Sequence, residues 1–443
     1  MTDLPEPLGA ADGVRVDARA DVRVDARAGA REGEGDAAAS ATEDFRTTLT
    51  HHEIVFRCPD PQHELVDVRL WYYLDLPLPD GRRGSQPPPP DHLQPVPGGW
   101  ELRWPLAGLD LDRLEYEFTA GRSGHPEGPD GRERTMFPDP GNPLRVEGRF
   151  SGSSWLALPG YQQPEWLADE RWPMVSQVVS VPALRSAEGA HGAEVGDSAE
   201  GVESVERVEG ADRADGAEAS LKVEVWTPAW AADQELPLLI AHDGPEFHRV
   251  GALTDAIAAF GAAGRLPALR VALLPPQWRT STYAADPAYA AWLVEQAVPA
   301  LREALPTRGR PILAGPSLGG LAALHAEWHY PGTFAGLLLL SGSFFMDEFD
   351  SHEAGFVHWA RLRGFIDEVY AVGLPPSRPA VALGWGTAEE NRHNNLAMAA
   401  RLEQLGLSVG RATRRDGHTF TCWRNLLDPL LPQLVAAAWP QEG

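Results

Sequence analysis

The sequence predicts an α/β protein: a doubly wound, mostly parallel eight-stranded sheet preceded by a small all-β sandwich. Three observations predict it. The chain has 443 residues, more than one hydrophobic core usually organises. Short β-like runs punctuated by Pro, Gly and Asp fill the first third, whereas the remainder alternates apolar runs with helical stretches. Finally, 43% of the residues are hydrophobic and 15 are Trp, enough to build packed cores.

Residues 1–45 read as a disordered tail. They are rich in Ala, Arg, Gly and acids, and repeat Val14-Arg-Val-Asp-Ala-Arg-Ala20 as Val22-Arg-Val-Asp-Ala-Arg-Ala28. With almost no large apolar residue, this segment cannot offset its ordering entropy.

Residues 46–150 form the expected sandwich, with strands near 54–56, 66–73, 100–104 and 114–118. A proline run, Pro87 to Pro90, marks a loop of extended conformation within it. A Pro/Gly-punctuated linker is expected over 151–172.

Residues 173–440 carry the second rhythm. Strands are predicted at 178–181, 222–226, 238–241, 269–274, 312–314, 335–340, 380–384 and 409–413. Several are continuous apolar runs, as in a sheet covered on both faces. Helices are predicted over 287–305 and 394–405, the latter stopped by Gly406. Between the first two strands, residues 186–220 hold ten acids and only Arg207 and Arg213 as bases. The acids recur every third residue from Glu194 to Glu218, a period of neither helix nor strand, so this is expected to be a disordered insertion.

The formal net charge of −25 argues against a nucleic-acid partner. Cys58 and Cys422 lie far apart, without metal-ligand spacing, which fits a reducing compartment. No targeting signal opens the chain and no stretch of about 18 apolar residues occurs, so a cytoplasmic protein away from membranes is expected. The sequence says nothing of oligomeric state.

Gly315-Pro316-Ser317-Leu318-Gly319 matches G-x-S-x-G, with a predicted strand immediately before it and a predicted helix immediately after. Strand, sharp turn and helix are what a nucleophile elbow requires, and flanking glycines permit close backbone approach there. A serine hydroxyl needs a base to take its proton and a carboxylate to orient that base. His418 follows the last strand in a Gly-containing loop. Glu389 and Glu390 follow the strand before it; Glu389 is preferred. The order nucleophile, acid, histidine is that of the α/β-hydrolase fold.

An oxyanion hole needs two N–H groups. Leu318 supplies one, and the turn His242-Asp-Gly-Pro-Glu-Phe247 supplies the other, with Gly244 the candidate and Asp243 and Glu246 as alternatives. Arg279 and Asp243 are candidate substrate-binding residues. His325 and His329 stand at i, i+4 but lack an H-E-x-x-H arrangement and a third ligand, so no metal is assigned. No cofactor is required.

These residues resemble the esterase D-like branch of the α/β-hydrolases, and more narrowly the enterochelin-esterase-like proteins. The resemblance covers most of the chain after residue 50. It rests on Asp243-Gly244, Gly315-Pro-Ser-Leu-Gly-Gly320, Ser341-Gly-Ser-Phe344, Gly386-Thr-Ala-Glu389, and Gly417-His418 followed by Cys422-Trp-Arg424. It implies an immunoglobulin-like N-terminal module and hydrolysis of a small-molecule carboxylic ester, such as that of a catecholate siderophore. Two departures stand out: Thr419 follows the histidine where many siderophore esterases carry an acid, and Pro245, which has no N–H, follows Asp-Gly. An acyltransferase with the same triad, or a binding protein on a hydrolase fold, are the rival readings.

Overall fold

Period-two alternation of apolar residues builds the N-terminal region. The computed structural model describes residues 45–72, 74, 91–122, 134–146, 152–185, 211–212 and 219–440. The first strands are β1 (Thr48–Leu49), β2 (Glu53–Pro59), β3 (Leu65–Tyr72), β4 (Gln94–Val96) and β5 (Gly99–Pro105). After them come β6 (Arg113–Arg122), β7 (Arg134–Phe137), β8 (Arg145–Val146) and β9 (Ser153–Ala157). They form two antiparallel sheets, one ordered β1-β2-β5-β4, the other β3-β6-β9-β8 with β7 also on β6.

Ile54, Phe56 and Cys58 of the first sheet share a core with Leu114, Tyr116 and Phe118 of the second. Phe56 meets Trp104 at 5.1 Å and Tyr116 at 5.2 Å, both edge to face. Burying a side chain of this size contributes roughly 1.5–3 kcal/mol. Strand β9 departs from expectation: residues assigned to the linker pair with β6 from Arg113↔Ala157 to Tyr116↔Ser154. Its aromatic and apolar positions are flanked by Ser and Gly, which mask it as a strand in the sequence. Phe45, assigned to the tail, lies 5.9 Å from the Arg57 guanidinium. The rest of the expected tail lies outside the described residues.

The second region is one large sheet. Its strands are β10 (Met174–Pro182), β11 (Ala211–Asp212), β12 (Ser220–Pro228), β13 (Leu238–Ala241) and β14 (Arg270–Leu273). They continue with β15 (Ile312–Pro316), β16 (Gly336–Leu340), β17 (Ala380–Gly386) and β18 (Val409–Arg414). The order is β10-β12-β14-β13-β15-β16-β17-β18. Strands β14 to β18, β13 included, run parallel, whereas β10 and β12 are antiparallel.

The expected eight strands are joined by a ninth. Ala211–Asp212 pairs with Leu221 and Ser220 of β12, at the end of β12 that β14 leaves uncovered, since β14 pairs only with Glu224 to Trp226. Part of the expected 186–220 insertion is therefore strand; residues 186–210 and 213–218 lie outside the described residues.

Successive side chains of the parallel strands enter different cores. Leu238, Ile240, Leu313, Leu337 and Leu339 pack on one face, and Leu239, Ala241, Ile312, Leu338 and Leu340 on the other. Leu318–His329, Trp359–Ala371 and Arg392–Gln404 bury residues in the first core; Leu253–Ala262 and Phe420–Ala438 bury theirs in the second. The predicted 287–305 helix runs Pro287–Trp292, widens to a π turn at Leu293–Ala297, and resumes at Val298–Ala304. Pro299 lacks the N–H that an α turn would use there.

Both cysteines are buried and neither is in a disulfide. Among the described residues no helix is long and apolar enough to cross a membrane. From Phe45 onward the chain is one compact unit. The connection from β13 runs to β14 on one side and that from β15 runs to β16 on the other, and such a reversal places a crevice outside the carboxyl ends of β13 and β15.

Candidate active site

Ser317 follows β15 at that crevice with φ +53° and ψ −127°. A serine in this region carries strain of about 1–3 kcal/mol, held only because its surroundings over-determine it. Its N–H donates to Leu340 O at 2.8 Å, and its carbonyl accepts from Gly320 N at 2.9 Å and Ser343 N at 3.2 Å. A Cβ at Gly315 would fall 2.3 Å from the Gly319 carbonyl, so only glycine lets the strand pass this close to the helix. Ser317 Oγ lies 3.4 Å from Ser343 Oγ.

The predicted base and acids converge at the ends of β17 and β18. His418 Nδ1 lies 3.6 Å from Glu389 Oε2 and 3.3 Å from Glu390 Oε1. The side chain of Glu389 is fully buried, whereas that of Glu390 is 27% exposed. Ser341 donates to Glu389 Oε2 at 2.8 Å and accepts the Trp423 indole N–H at 2.8 Å. The Trp423 ring meets the His418 ring edge to face at 5.1 Å. Thus the ends of β15, β16, β17 and β18 bring Ser317, Ser341 with Ser343, Glu389 and His418 to one edge of the sheet.

Leu318, the first residue of its helix, has an N–H with no helical carbonyl to bond. Gly244 does not fit the role expected of it. Its N–H is given to Leu274 O at 3.1 Å, and a Cβ there would lie 2.4 Å from Leu273 Cα. The glycine is needed for this approach of two chain segments, which occupies its amide.

Arg279 and Asp243, the candidate substrate-binding residues, pair with each other. Arg279 Nε meets Asp243 Oδ1 at 2.8 Å and Nη2 meets Oδ2 at 3.0 Å. The fork and the carboxylate are matched, so the pair fixes the turn after β13 rather than presenting two separate charges. His325 meets His329 edge to face at 4.5 Å and Phe365 edge to face at 4.9 Å. Burial holds the His325 imidazole down at about 3, with His329 and Arg361 adding to it.

Sequence reasoning assigned no role to His242, Ser341, Ser343 or Trp423. His242 is fully buried, and its Nδ1 contacts Gly319 O at 2.8 Å, tying the turn after β13 to the elbow helix. Burial lowers it to about 4. The signals available were position for His242 and Ser341, which each follow a predicted strand, and for Ser341, Ser343 and Trp423 their place in the stretches that carry the family resemblance.

Residues 216–434 match the family model described as Putative esterase. The chain is 28% identical over 212 residues to the iron(III) enterobactin esterase of Escherichia coli O6:H1, covering 46% of this chain and 51% of that protein. It is 28% identical over 223 residues to the iron(III) enterobactin esterase of Dickeya dadantii, covering 47% and 49%. The chain thus matches about half the length of these curated relatives. The structure is similar to that of the Shigella flexneri enterobactin esterase determined in the presence of enterobactin, with a TM-score of 0.61 and 17% identity, covering 91% of this chain and 98% of that one. It is similar also to the Salmonella typhimurium ferric enterobactin esterase, with a TM-score of 0.57 and 20% identity, covering 87% and 93%. At these identities the likeness is one of fold.

Proposed function

Because residues 216–434 belong to that esterase family, we propose that this protein is a carboxylic ester hydrolase working through Ser317, His418 and Glu389. The observation that carries the reading is the strained elbow at Ser317, on the same sheet edge as a histidine whose Nδ1 faces two carboxylates.

In this mechanism His418 Nε2 takes the Ser317 proton as Oγ attacks the ester carbonyl carbon, and a tetrahedral oxyanion forms. The Leu318 N–H is one donor to it. The second comes from Asp243 or Glu246, because the Gly244 amide is occupied and Pro245 has none. His418 then protonates the departing alkoxide. Water, deprotonated by His418, cleaves the acyl-enzyme and restores Ser317. Glu389 holds the imidazole and balances its transient charge; its burial and its bond from Ser341 support it over Glu390.

The favoured substrate is an ester of a siderophore of the enterobactin type. The enterobactin esterases that this chain resembles support that class. Residues 46–150 would act as an immunoglobulin-like module bordering the cleft, and the protein would work in the cytoplasm. Release of the hydroxyacid from a cyclic catecholate triester, followed by chromatography, tests the substrate. Turnover of simple aryl esters without any of the triester would keep the hydrolase and reject the siderophore.

A further inference from the structure

The loop bearing His418 is gripped by the β-rich region. Arg113 opens β6 and is only 1% exposed although charged. Its Nη2 meets Glu115 Oε1 at 2.6 Å, and its Nη1 lies 3.7 Å from Asp416 Oδ2. Nη1 also donates to Thr421 Oγ1, and Thr421 in turn donates to Glu115. One guanidinium therefore reaches Asp416, two residues before His418, and Thr421, three residues after it. Thr421 Oγ1 lies 3.1 Å from Thr419 Oγ1, and Thr419, which adjoins His418, caps the following helix by accepting from Cys422 N.

The same contacts extend to the acid. Asp416 O accepts from Ala388 N at 3.1 Å, and Ala388, directly before Glu389, is buried in the apolar core of the β-rich region. A Cβ at Gly386 would fall 2.2 Å from Asp416 O, so the two loops have no slack between them. Farther out, Arg415 pairs with Asp110 and Asp112, and its carbonyl accepts from Asp112 N at 2.7 Å.

Burying a guanidinium with two carboxylates carries a desolvation penalty, and apolar residues of similar volume would join two regions at least as firmly. What an ion cluster adds is direction, because a planar fork fixes the groups it binds in angle as well as distance.

We propose that Arg113 is a positioning residue for the hydrolase. Through Asp416 and Thr421 it sets the angle at which His418 is presented, and through the Asp416 carbonyl it sets the register of Glu389. The β-rich region thereby completes the catalytic geometry. This rests on His418 being the base.

The test uses the full chain carrying Arg113→Lys, Asp416→Asn or both, with Ser317→Ala and His418→Ala as references. Turnover of p-nitrophenyl butyrate is expressed per active site, counted by fluorophosphonate labelling run to completion. Each single variant lowers kcat per site by about ten- to a hundred-fold with KM unchanged within about two-fold. The double variant falls no further than the worse single one, because both act on one loop. A merely structural role would lower the number of labelled sites and the melting temperature while leaving kcat per site intact, and that result overturns the proposal. Should Arg113→Lys fail to fold, Asp416→Asn, which keeps the shape of the side chain, decides alone. Full turnover by Ser317→Ala or His418→Ala would instead reject the assignment of the catalytic residues, a separate outcome.

Discussion

Ser341 Oγ stands between the Trp423 indole and the Glu389 carboxylate, accepting from one and donating to the other at 2.8 Å each. Trp423 also packs against His418, so a single hydroxyl holds both the Glu389 carboxylate and the ring that borders His418. Ser341→Ala leaves a buried N–H and a buried carboxylate oxygen without this partner, costing about 1–3 kcal/mol. A lower urea midpoint together with a kcat loss of about ten-fold is expected. Loss of stability with kcat intact would show that Glu389 needs no such support.

The two carboxylates at His418 differ in burial, and that difference predicts their ranking. Glu389→Gln lowers kcat by about a hundred-fold or more, by analogy with other triad acids, and Glu390→Gln by a few-fold. Steady-state kinetics on both variants check this. The reverse order would reassign the acid to Glu390, whose oxygen is the nearer one.

Gly244 is a packing residue, so Gly244→Ala acts through structure. Its new Cβ would lie 2.4 Å from Leu273 Cα and 2.5 Å from Leu274 N, overpacking that costs about 1–3 kcal/mol or more. Denaturant unfolding measures it. An unchanged midpoint with a large fall in kcat would instead return Gly244 to the oxyanion hole.

Stability should fall on acidification below pH 6.5. Burial holds His242 at about 4 and His325 at about 3, below the ordinary 6.5. In that window the unfolded chain binds protons that the folded chain refuses, so stability rises with pH, by at most about 1.4 kcal/mol per pH unit per group. Asp416 opposes them: burial pushes it from 3.8 up to about 7, with Arg113 pulling it down and Glu115 pushing it up. Between those values the folded chain holds a proton that the unfolded chain has released, and stability falls as pH rises. Two histidines against one aspartate leave a net loss toward acid. His325→Phe removes one proton's worth of the slope between pH 4 and 6.5, read from urea midpoints across that range; an unchanged slope would show that His325 stays solvated.

The elbow was legible in the sequence because it is local: strand, Gly-Pro-Ser-Leu-Gly and helix occupy consecutive residues. His418 was legible through its position after the last strand, and Gly406 as a helix stop, where it adopts φ +82°. What could not be read depended on partners remote in the chain. The Gly244 amide is consumed by Leu274, the charge of Arg279 by Asp243, and Arg113 finds Asp416 about three hundred residues away. Strand β9 was missed for a related reason, since its pairing with β6, rather than its own composition, makes it a strand.

The most direct test of Ser317 as nucleophile is fluorophosphonate labelling with mass mapping, paired with hydrolysis of p-nitrophenyl acetate and butyrate by wild type and Ser317→Ala. With Ser317 as nucleophile, the wild type carries a phosphonate adduct on Ser317 and turns the esters over, and the variant loses both with the melting temperature nearly unchanged. A wild-type chain that neither labels nor hydrolyses these esters, or a Ser317→Ala variant that retains turnover, would contradict that role.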